Sequence, residues 1–140
     1  MRVMTFGTFD NLHPGHRNYF SQAGKFGDEL IVVVARDKNV LALKGRLPQE
    51  NEKIRQWKVR RALKELDVKG KVVLGNIKNR WLVIKKYRPD IICLGYDQKT
   101  NLAQLKSEVA GFRFFCNIKR LRAYHPEKYK SSFCRKADFL

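Results

Sequence analysis

The run ELIVVVA at residues 29–35 constrains the fold of this 140-residue chain more than any other stretch. After its first residue it is entirely apolar and mostly β-branched, which is typical of a strand covered on both faces. Such strands belong mainly to parallel sheets, because the crossover helices of those sheets lie on both sides. The run therefore favours an α/β fold with a parallel sheet.

Segments with strand and helix patterns alternate along the rest of the chain. Strands are predicted at residues 2–6, 29–35, 72–74, 90–94 and 112–118. Helices are predicted at residues 16–26, 48–66, 80–87, 102–110 and 131–139, and a loop at 36–48. In this pattern Gly27 ends the first helix and Pro48 opens the second. The alternation predicts one domain over residues 1–140, built on a doubly wound, five-stranded parallel sheet.

Apolar side chains in these elements are candidates for the core. The second helix is predicted to bury Ile54, Trp57, Ala62, Leu63 and Leu66. Trp57 and Trp81 are interpreted as packing residues, and Cys93 and Cys116 as thiols within core strands. The three cysteines are widely spaced without a CxxC pair, which favours reduced thiols over a disulfide framework or a zinc site.

Charge is the strongest signal in the composition. Thirty Lys and Arg residues against 13 Asp and Glu residues give a net charge of +17, which implies an anionic partner. Nucleic acid, a nucleoside triphosphate, a phosphorylated metabolite and an acidic surface all fit that charge. No apolar run approaches the roughly 18 residues of a membrane span, and the first residues lack a secretory pattern. We therefore expect a cytoplasmic protein without a membrane partner.

Polar stretches follow three of the predicted strands. GTFDNLHPGH at residues 7–16 follows the first strand, RDKNVLALKGR at 36–46 the second, and GYDQ at 95–98 the fourth. In open parallel sheets, ligands bind beyond the carboxyl ends of the strands, where the strand order reverses. The three stretches are therefore predicted to form one site.

The first of these stretches has the features of a phosphate-binding loop. A strand ending at Gly7 turns into a helix that Pro14 can open, so the positive helix end faces a ligand. Gly15 permits close approach, and His13 and His16 can both donate hydrogen bonds to a phosphate oxygen. A shared metal would need a third ligand, and Asp10 is the one obvious candidate nearby, so no metal site is predicted.

GTFDNLHPGH closely resembles the GxFDxxHxGH signature of the cytidylyltransferase-like nucleotidyltransferases. The resemblance extends over nearly the whole chain and implies a Rossmann-like α/β fold. These enzymes move a nucleotide monophosphate from a triphosphate onto a phosphate-bearing acceptor and release pyrophosphate. The resemblance implies that His13 and His16 contact the triphosphate, with His16 at the α-phosphate. Around it, Thr8, Phe9, Asp10 and Gly15 would complete the nucleotide site.

The resemblance also assigns basic residues to the site. Lys44 and Arg46 would hold phosphates of the nucleotide or acceptor, with Lys44 among the catalytic groups, although both could be solvated loop charges. The family carries an arginine on the following helix that reaches the phosphates. Counting back from ALKELD puts Gln56 in that register, so Arg55, one residue earlier, is the candidate.

Two later stretches would complete the site. GYDQ lies where the family places the base and ribose, which assigns Gly95, Tyr96 and Asp97 to the nucleotide, although Asp97 could instead close a turn. PDIICLGYDQ looks most like the archaeal-type FAD synthetases. YKSSFCRK stands where the family has Ser-Thr-Thr at its last helix. Lys130, Ser131 and Ser132 would there bind the leaving pyrophosphate, with Ser131 as a catalytic group, or simply cap that helix.

The first hypothesis is therefore an enzyme that transfers AMP from ATP to FMN, with Mg²⁺ carried by the triphosphate. Cytidylyl transfer from CTP to glycerol 3-phosphate, or to a similar alcohol phosphate, is the alternative. A non-catalytic, basic nucleic-acid-binding module is the second alternative, and nucleic acid is a disfavoured partner because such a module has little reason to keep both histidines. Relatives are often homodimers, so a homodimer is possible.

Overall fold

A computed structural model describes residues 1–79, 81–95 and 102–122. Its strands are β1 (Arg2–Gly7), β2 (Glu29–Val34), β3 (Gly70–Leu74), β4 (Ile91–Leu94) and β5 (Asn117–Arg120). Its helices are α1 (Pro14–Gly24), α2 (Asp37–Lys44), α3 (Glu52–Glu65), α4 (Leu82–Tyr87) and α5 (Leu102–Gly111). Every strand pairing is parallel. The predicted five-stranded, Rossmann-like α/β sheet is confirmed. The predicted helix at 131–139 lies outside the described residues.

The order of the strands places a ligand crevice at the middle of the sheet. The order is β3-β2-β1-β4-β5, so the chain builds one half of the sheet outward from β1 and then returns to build the other half. The reversal falls between β1 and β4, which pair from Val3–Ile91 to Thr5–Cys93. The loops after β1 and β4 therefore flank the point at which ligands bind in such sheets.

The two faces of the sheet explain why the run at β2 is apolar throughout. Leu30, Val32 and Val34 pack on one face, in a cluster that includes residues of α1 and α3. Ile31 and Val33 pack on the other face, with residues of α4 and α5. Because successive strand residues point to opposite faces, both faces of β2 are buried, as the sequence predicted.

The segment between β2 and α3 differs from the prediction. Residues 36–48 were expected to be a loop, but they contain α2, which ends where Gly45 adopts a φ of 76°. Pro48 does not open the next helix, because α3 begins at Glu52 after Asn51. The Oδ1 atom of Asn51 accepts a hydrogen bond from the N–H of Ile54 (2.9 Å), and this side-chain cap sets the start of the helix.

The buried face of α3 is also rotated from the predicted one. Ala62 and Leu63 are buried as predicted, but Ile54 and Trp57 are 44% and 55% exposed. Arg55 and Val59 occupy the buried face instead. Arg55 can be buried because its guanidinium finds hydrogen-bond acceptors in the interior. The prediction that Ile54 and Trp57 are buried, which rested on apolar spacing alone, was therefore wrong.

Three other element boundaries differ from the predicted ones by a few residues. Helix α1 ends at Gly24 with a cap at Lys25, so Gly27 is not its terminator. The fifth strand was predicted at 112–118, but α5 continues to Gly111 and Arg113 turns with a φ of 58°, so β5 begins only at Asn117. Cys116 consequently lies before the strand.

The cysteines and Trp81 follow the core prediction more closely. Trp81 is buried, and Cys93 is fully buried in β4. Burial raises the pKa of the Cys93 thiol to about 12 and that of the half-buried Cys116 thiol to about 11. Both thiols are therefore protonated at neutral pH, as expected for core cysteines.

Candidate active site

The loop between β1 and α1 folds back so that an aromatic ring lies under its own strand end. Phe9 and Asn11 both have left-handed backbone conformations, with φ of 55° and 53°. The buried ring of Phe9 covers Gly7, where an added Cβ would lie 2.7 Å from the ring Cζ atom. Only glycine fits at position 7 without moving that ring. Gly7 and Phe9 of the motif therefore pack against each other as one unit.

The two histidines hold each other in a defined orientation at the start of α1. The N–H of Gly15 donates to Nδ1 of His13 (3.0 Å), and the N–H of His13 donates to Nδ1 of His16 (3.4 Å). This reciprocal arrangement is a capping box. The two rings stack with their centroids 3.9 Å apart, and the Phe9 ring meets the His16 ring edge-on at 5.6 Å.

The capping box also decides which nitrogen of each imidazole carries the proton. Because Nδ1 accepts a hydrogen bond in both rings, the neutral tautomer carries its hydrogen on Nε2. Each Nε2–H group is then a donor at the positive end of α1, where a phosphate oxygen is favoured. The structure therefore brings His13 and His16 together as predicted and gives both the donor form.

Lys44 also reaches this loop. It is the last residue of α2, and its Nζ atom lies 3.2 Å from Oγ1 of Thr8. Its position on a helix differs from the predicted loop, and its side chain lies next to the motif. Arg46 follows Gly45 on the exposed surface just beyond the helix end.

Asp10 has a different environment from the one expected of a nucleotide contact. Its carboxylate oxygens accept hydrogen bonds from the backbone N–H groups of Gln49 (2.8 Å) and Glu50 (3.0 Å). The side chain of Asn11 adds a hydrogen bond to Oε1 of Gln49 (2.7 Å). Asp10 therefore fastens the motif to the segment before α3, and we assign it to positioning rather than to nucleotide contact.

Arg55 holds the same loop from inside the protein. Its side chain is 0% exposed, which corrects the expectation that it reaches the triphosphate. The guanidinium donates to the carbonyl oxygens of Thr8 (2.7 Å) and Glu50 (2.9 Å) and to Oδ1 of Asp37 (2.7 Å). Gln56 points elsewhere and donates to the carbonyl of Val72 in β3 (2.9 Å). Arg55 thus faces the motif, but as a support beneath it.

A network of charges extends this support to the end of β2. Glu52 accepts hydrogen bonds from the backbone N–H of Asp37 (2.9 Å) and from the guanidinium of Arg36 (2.9 Å). Burial opposes ionisation of Glu52, but the hydrogen bonds from Asp37 and Arg36 prevail and lower its pKa. Arg36, Asp37 and Glu52 were not among the site residues predicted from the sequence. The one available signal was the placement of Arg36 and Asp37 directly after a predicted strand.

The carboxyl end of β4 lies on the other side of the crevice. Tyr19 of α1 donates from its hydroxyl to the carbonyl of Cys93 (3.0 Å), and Arg120 of β5 donates to the carbonyl of Gly95 (2.8 Å). Gly95 therefore lies directly after β4, and Arg120 is a cation at this end of the sheet that was not among the predicted site residues. Tyr96, Asp97, Lys130, Ser131 and Ser132 lie outside the described residues.

The described ranges contain neither a cluster of metal-ligating side chains nor a helix suited to crossing a membrane. Within residues 1–79, 81–95 and 102–122, no group of three or more His, Cys, Asp or Glu side chains is arranged to hold a metal ion. No helix in those ranges combines the length and the apolar character needed to cross a membrane.

Comparison with known proteins agrees with this architecture. The chain is 43% identical over 124 residues to an FAD synthase of Aciduliprofundum boonei, which is 89% of this chain and 80% of that protein. It is 38% identical over 120 residues to an FAD synthase of Methanosarcina barkeri, which is 86% of this chain and 82% of the relative.

A solved structure matches the fold along most of its length. The lipopolysaccharide core biosynthesis protein from Thermoplasma volcanium is 38% identical, with a TM-score of 0.78 over 89% of this chain and 98% of that one. The sequence model of the cytidylyltransferase-like family matches residues 4–137. The strand order, the histidine pair at the first strand end and these similarities agree: the chain belongs to the cytidylyltransferase-like family.

Proposed function

We propose that this nucleotidyltransferase makes FAD by transferring AMP from ATP to the phosphate of FMN, with release of pyrophosphate. The observation that carries the substrate assignment is the similarity to FAD synthases at 38% to 43% identity over most of the chain. The paired histidines His13 and His16, with Lys44 close to Thr8, support this proposal because such groups suit transfer between phosphates.

In the proposed reaction a phosphate oxygen of FMN attacks the α-phosphorus of ATP. A new P–O bond forms to the FMN phosphate while the bond to the β-phosphate oxygen breaks, and that oxygen leaves with pyrophosphate. The Nε2–H groups of His13 and His16 donate to oxygens that gain charge during this exchange. The protein orients the two phosphates and stabilises charge, and no covalent intermediate with a side chain is required.

Lys44 stands beside the histidines in this scheme. Its ammonium group, close to Thr8, would neutralise charge where donor and acceptor phosphates meet. Arg46, on the surface two residues later, would bind the acceptor phosphate. Phe9 and Gly15 would contribute through the backbone they shape, and Thr8 through the loop that Arg55 holds.

The remaining predicted residues would bind the rest of the nucleotide. Gly95, Tyr96 and Asp97 are proposed for the base and ribose, and Lys130, Ser131 and Ser132 for the leaving pyrophosphate. A divalent cation, Mg²⁺ in this proposal, would be carried by the triphosphate oxygens, which suit a hard cation. Asp10 accepts backbone hydrogen bonds from Gln49 and Glu50 and is assigned to positioning the loop, so no metal contact is proposed for it.

The test is a pyrophosphate-release assay with Mg²⁺ in four pairings: ATP or CTP as donor against FMN or glycerol 3-phosphate as acceptor. We expect release with ATP and FMN, together with FAD identified by mass spectrometry. Release only with CTP and glycerol 3-phosphate would replace this proposal with the cytidylyl-transfer alternative. Omitting the metal should stop the reaction, and restoring Mg²⁺ or Mn²⁺ separately tests the identity of the ion.

A variant shows whether the observed turnover belongs to this protein. His16→Ala should abolish pyrophosphate release, whereas Lys106→Ala, an exposed residue on α5 remote from the histidines, should leave it unchanged. The single domain over residues 1–140, a homodimer and a cytoplasmic location stay predictions. Sedimentation of the purified chain would test the homodimer directly.

A further inference from the structure

The outward side of α3 carries a group of exposed basic and aromatic residues that the proposed reaction does not use. This basic face consists of Lys53, Trp57, Arg60, Arg61 and Lys64. All five side chains are exposed, and Trp57 is 55% exposed. Trp57 was predicted to be a packing residue, so its exposure corrects that prediction and needs an explanation.

The basic face is separate from the catalytic machinery. The inward side of α3 holds the core residues Val59, Ala62 and Leu63 and the Arg55 guanidinium under Thr8. At about 100° per residue, Trp57 is roughly 160° around the helix from Arg55. Packing therefore does not require Trp57, and the nucleotide site cannot use it directly.

The Trp57 ring is positioned to contact a planar, charged group. The Arg61 guanidinium lies 5.6 Å from the centroid of its ring, within the range of a cation–π contact. Glu65, the nearby acidic residue, forms ion pairs with Arg17 and Arg61. The charge of Glu65 is thus already balanced, and Lys53, Arg60 and Lys64 give the remainder of the face a positive potential.

We propose that this basic face binds single-stranded nucleic acid, a partner that the sequence alone disfavoured. A base would stack on the exposed Trp57 ring, and backbone phosphates would bind Lys53, Arg60 and Lys64. These positions span 12 residues of helix, about 16 Å from the first to the last, which is long enough for several phosphates. Aromatic stacking beside a row of cations is the arrangement by which proteins bind single strands without reading their sequence.

Charge and shape favour this partner over two others. A helix that lies on a membrane buries a wide apolar face, but the core-facing residues of α3 are already covered by the sheet, and Ile54 and Trp57 are the exposed apolar residues left on it. A second copy of the chain would bring two positive faces together, which electrostatics opposes.

The experiment measures binding of a fluorescein-labelled 20-nucleotide oligo(U) by anisotropy between 50 and 200 mM salt. Trp57→Ala should weaken binding about tenfold, because one stacked base is lost, and Trp57→Phe should retain most of the affinity. Replacing Lys53, Arg60 and Lys64 together with Gln should lower the slope of log affinity against log salt by about 2, since each single-strand phosphate contact contributes roughly 0.7.

A matched control separates this face from general charge. Replacing Lys85, Lys86 and Lys106 with Gln also removes three positive charges, but from α4 and α5 on the opposite side of the sheet. This control should change the slope of log affinity against log salt little. Equal losses in both triple variants would overturn the proposal, as would no binding at 50 mM salt. Trp57-dependent binding to phosphatidylserine vesicles without binding to RNA would assign the face to membranes instead. FAD synthesis, assayed alongside, should stay at the wild-type rate in every variant.

Discussion

The loop after β1 and the segment from Arg36 to Arg55 meet at Thr8, and they serve the site in different ways. The loop presents the His13 and His16 donors, and it lies in ten consecutive residues. The segment presents Lys44 but otherwise supports the loop from below, through side chains dispersed over two helices. The donor groups thus come from one short stretch of the sequence, whereas the residues that position them lie far apart in the sequence. Substitutions in the two regions should therefore fail in different ways.

The largest effect is expected at His16, where acceptor and donor functions sit on different ring atoms. Asparagine can present an oxygen near the Nδ1 position and keep the hydrogen bond from His13, but it cannot donate at the Nε2 position. His16→Asn should therefore lower kcat about 10²- to 10³-fold, the usual cost of losing one such donor, and leave the unfolding temperature nearly unchanged.

Glutamine at position 16 keeps the donor function and loses the acceptor function. Its amide can donate near the Nε2 position but does not replace the Nδ1 acceptor, so His16→Gln should recover about tenfold in kcat over His16→Asn and be less stable. Steady-state kinetics and thermal unfolding of both variants separate the two functions. Equal kcat in the two variants would mean that His16 acts by packing against Phe9 rather than by donating to phosphate.

Arg55 is the matching test in the supporting segment. Arg55→Leu leaves the carbonyl of Thr8 and the carboxylate of Asp37 without their buried donor, which should lower the free energy of unfolding by about 3 kcal/mol. The loop should shift with it, and kcat should fall about tenfold because phosphate alignment is sensitive to small displacements. Urea unfolding and kinetics well below the melting temperature measure both effects.

The neighbouring Gln56 provides the control for this variant. Gln56→Leu removes a hydrogen bond to β3, not to the loop, and should cost about 1 kcal/mol of stability with kcat unchanged. If Arg55→Leu were equally active, Thr8 would be held well enough by the other contacts of its loop, and Arg55 would be a stability residue alone.

The sequence could predict the sheet because its signals are periodic and local. The apolar run at β2 required helices on both faces. The placement of polar stretches after strands predicted one site at the carboxyl edge of the sheet, but not the strand order that puts the crevice between β1 and β4. The histidine pair was also predictable, since its capping box involves residues three apart.

The supporting network could not be predicted in the same way. The burial of Arg55 depends on acceptors 18 and 47 positions away, at Asp37 and Thr8, and no local pattern reports such pairings. The same burial turned α3 so that Trp57 faces outward. Helix α2 was missed for a related reason, because its one buried residue, Val40, is too weak a periodic signal.

Gly7 tests whether the motif is also a packing unit. An added Cβ in Gly7→Ala would lie 2.7 to 2.9 Å from the far atoms of the Phe9 ring, so the ring must move, at a cost of about 1 to 3 kcal/mol. Leucine lacks those far ring atoms. Gly7→Ala combined with Phe9→Leu should therefore cost less than the sum of the two single variants, as measured by urea unfolding. Strict additivity would show that the two residues do not share this space.

The smallest effect is expected from pH, and it concerns the supporting segment alone. The pKa of Glu52 is lowered from 4.5 because hydrogen bonds from Asp37 and Arg36 outweigh its burial. A carboxylate whose pKa is lower in the folded state stabilises the fold above its ordinary pKa, and that contribution is lost as pH falls below 4.5 through the lower folded value. Wild-type stability, measured by urea unfolding from pH 7 to pH 3, should therefore decline more steeply at the acid end than that of Glu52→Gln. The difference should be no more than about 1 kcal/mol. Parallel acid limbs in the two proteins would mean that Glu52 does not couple folding to protonation.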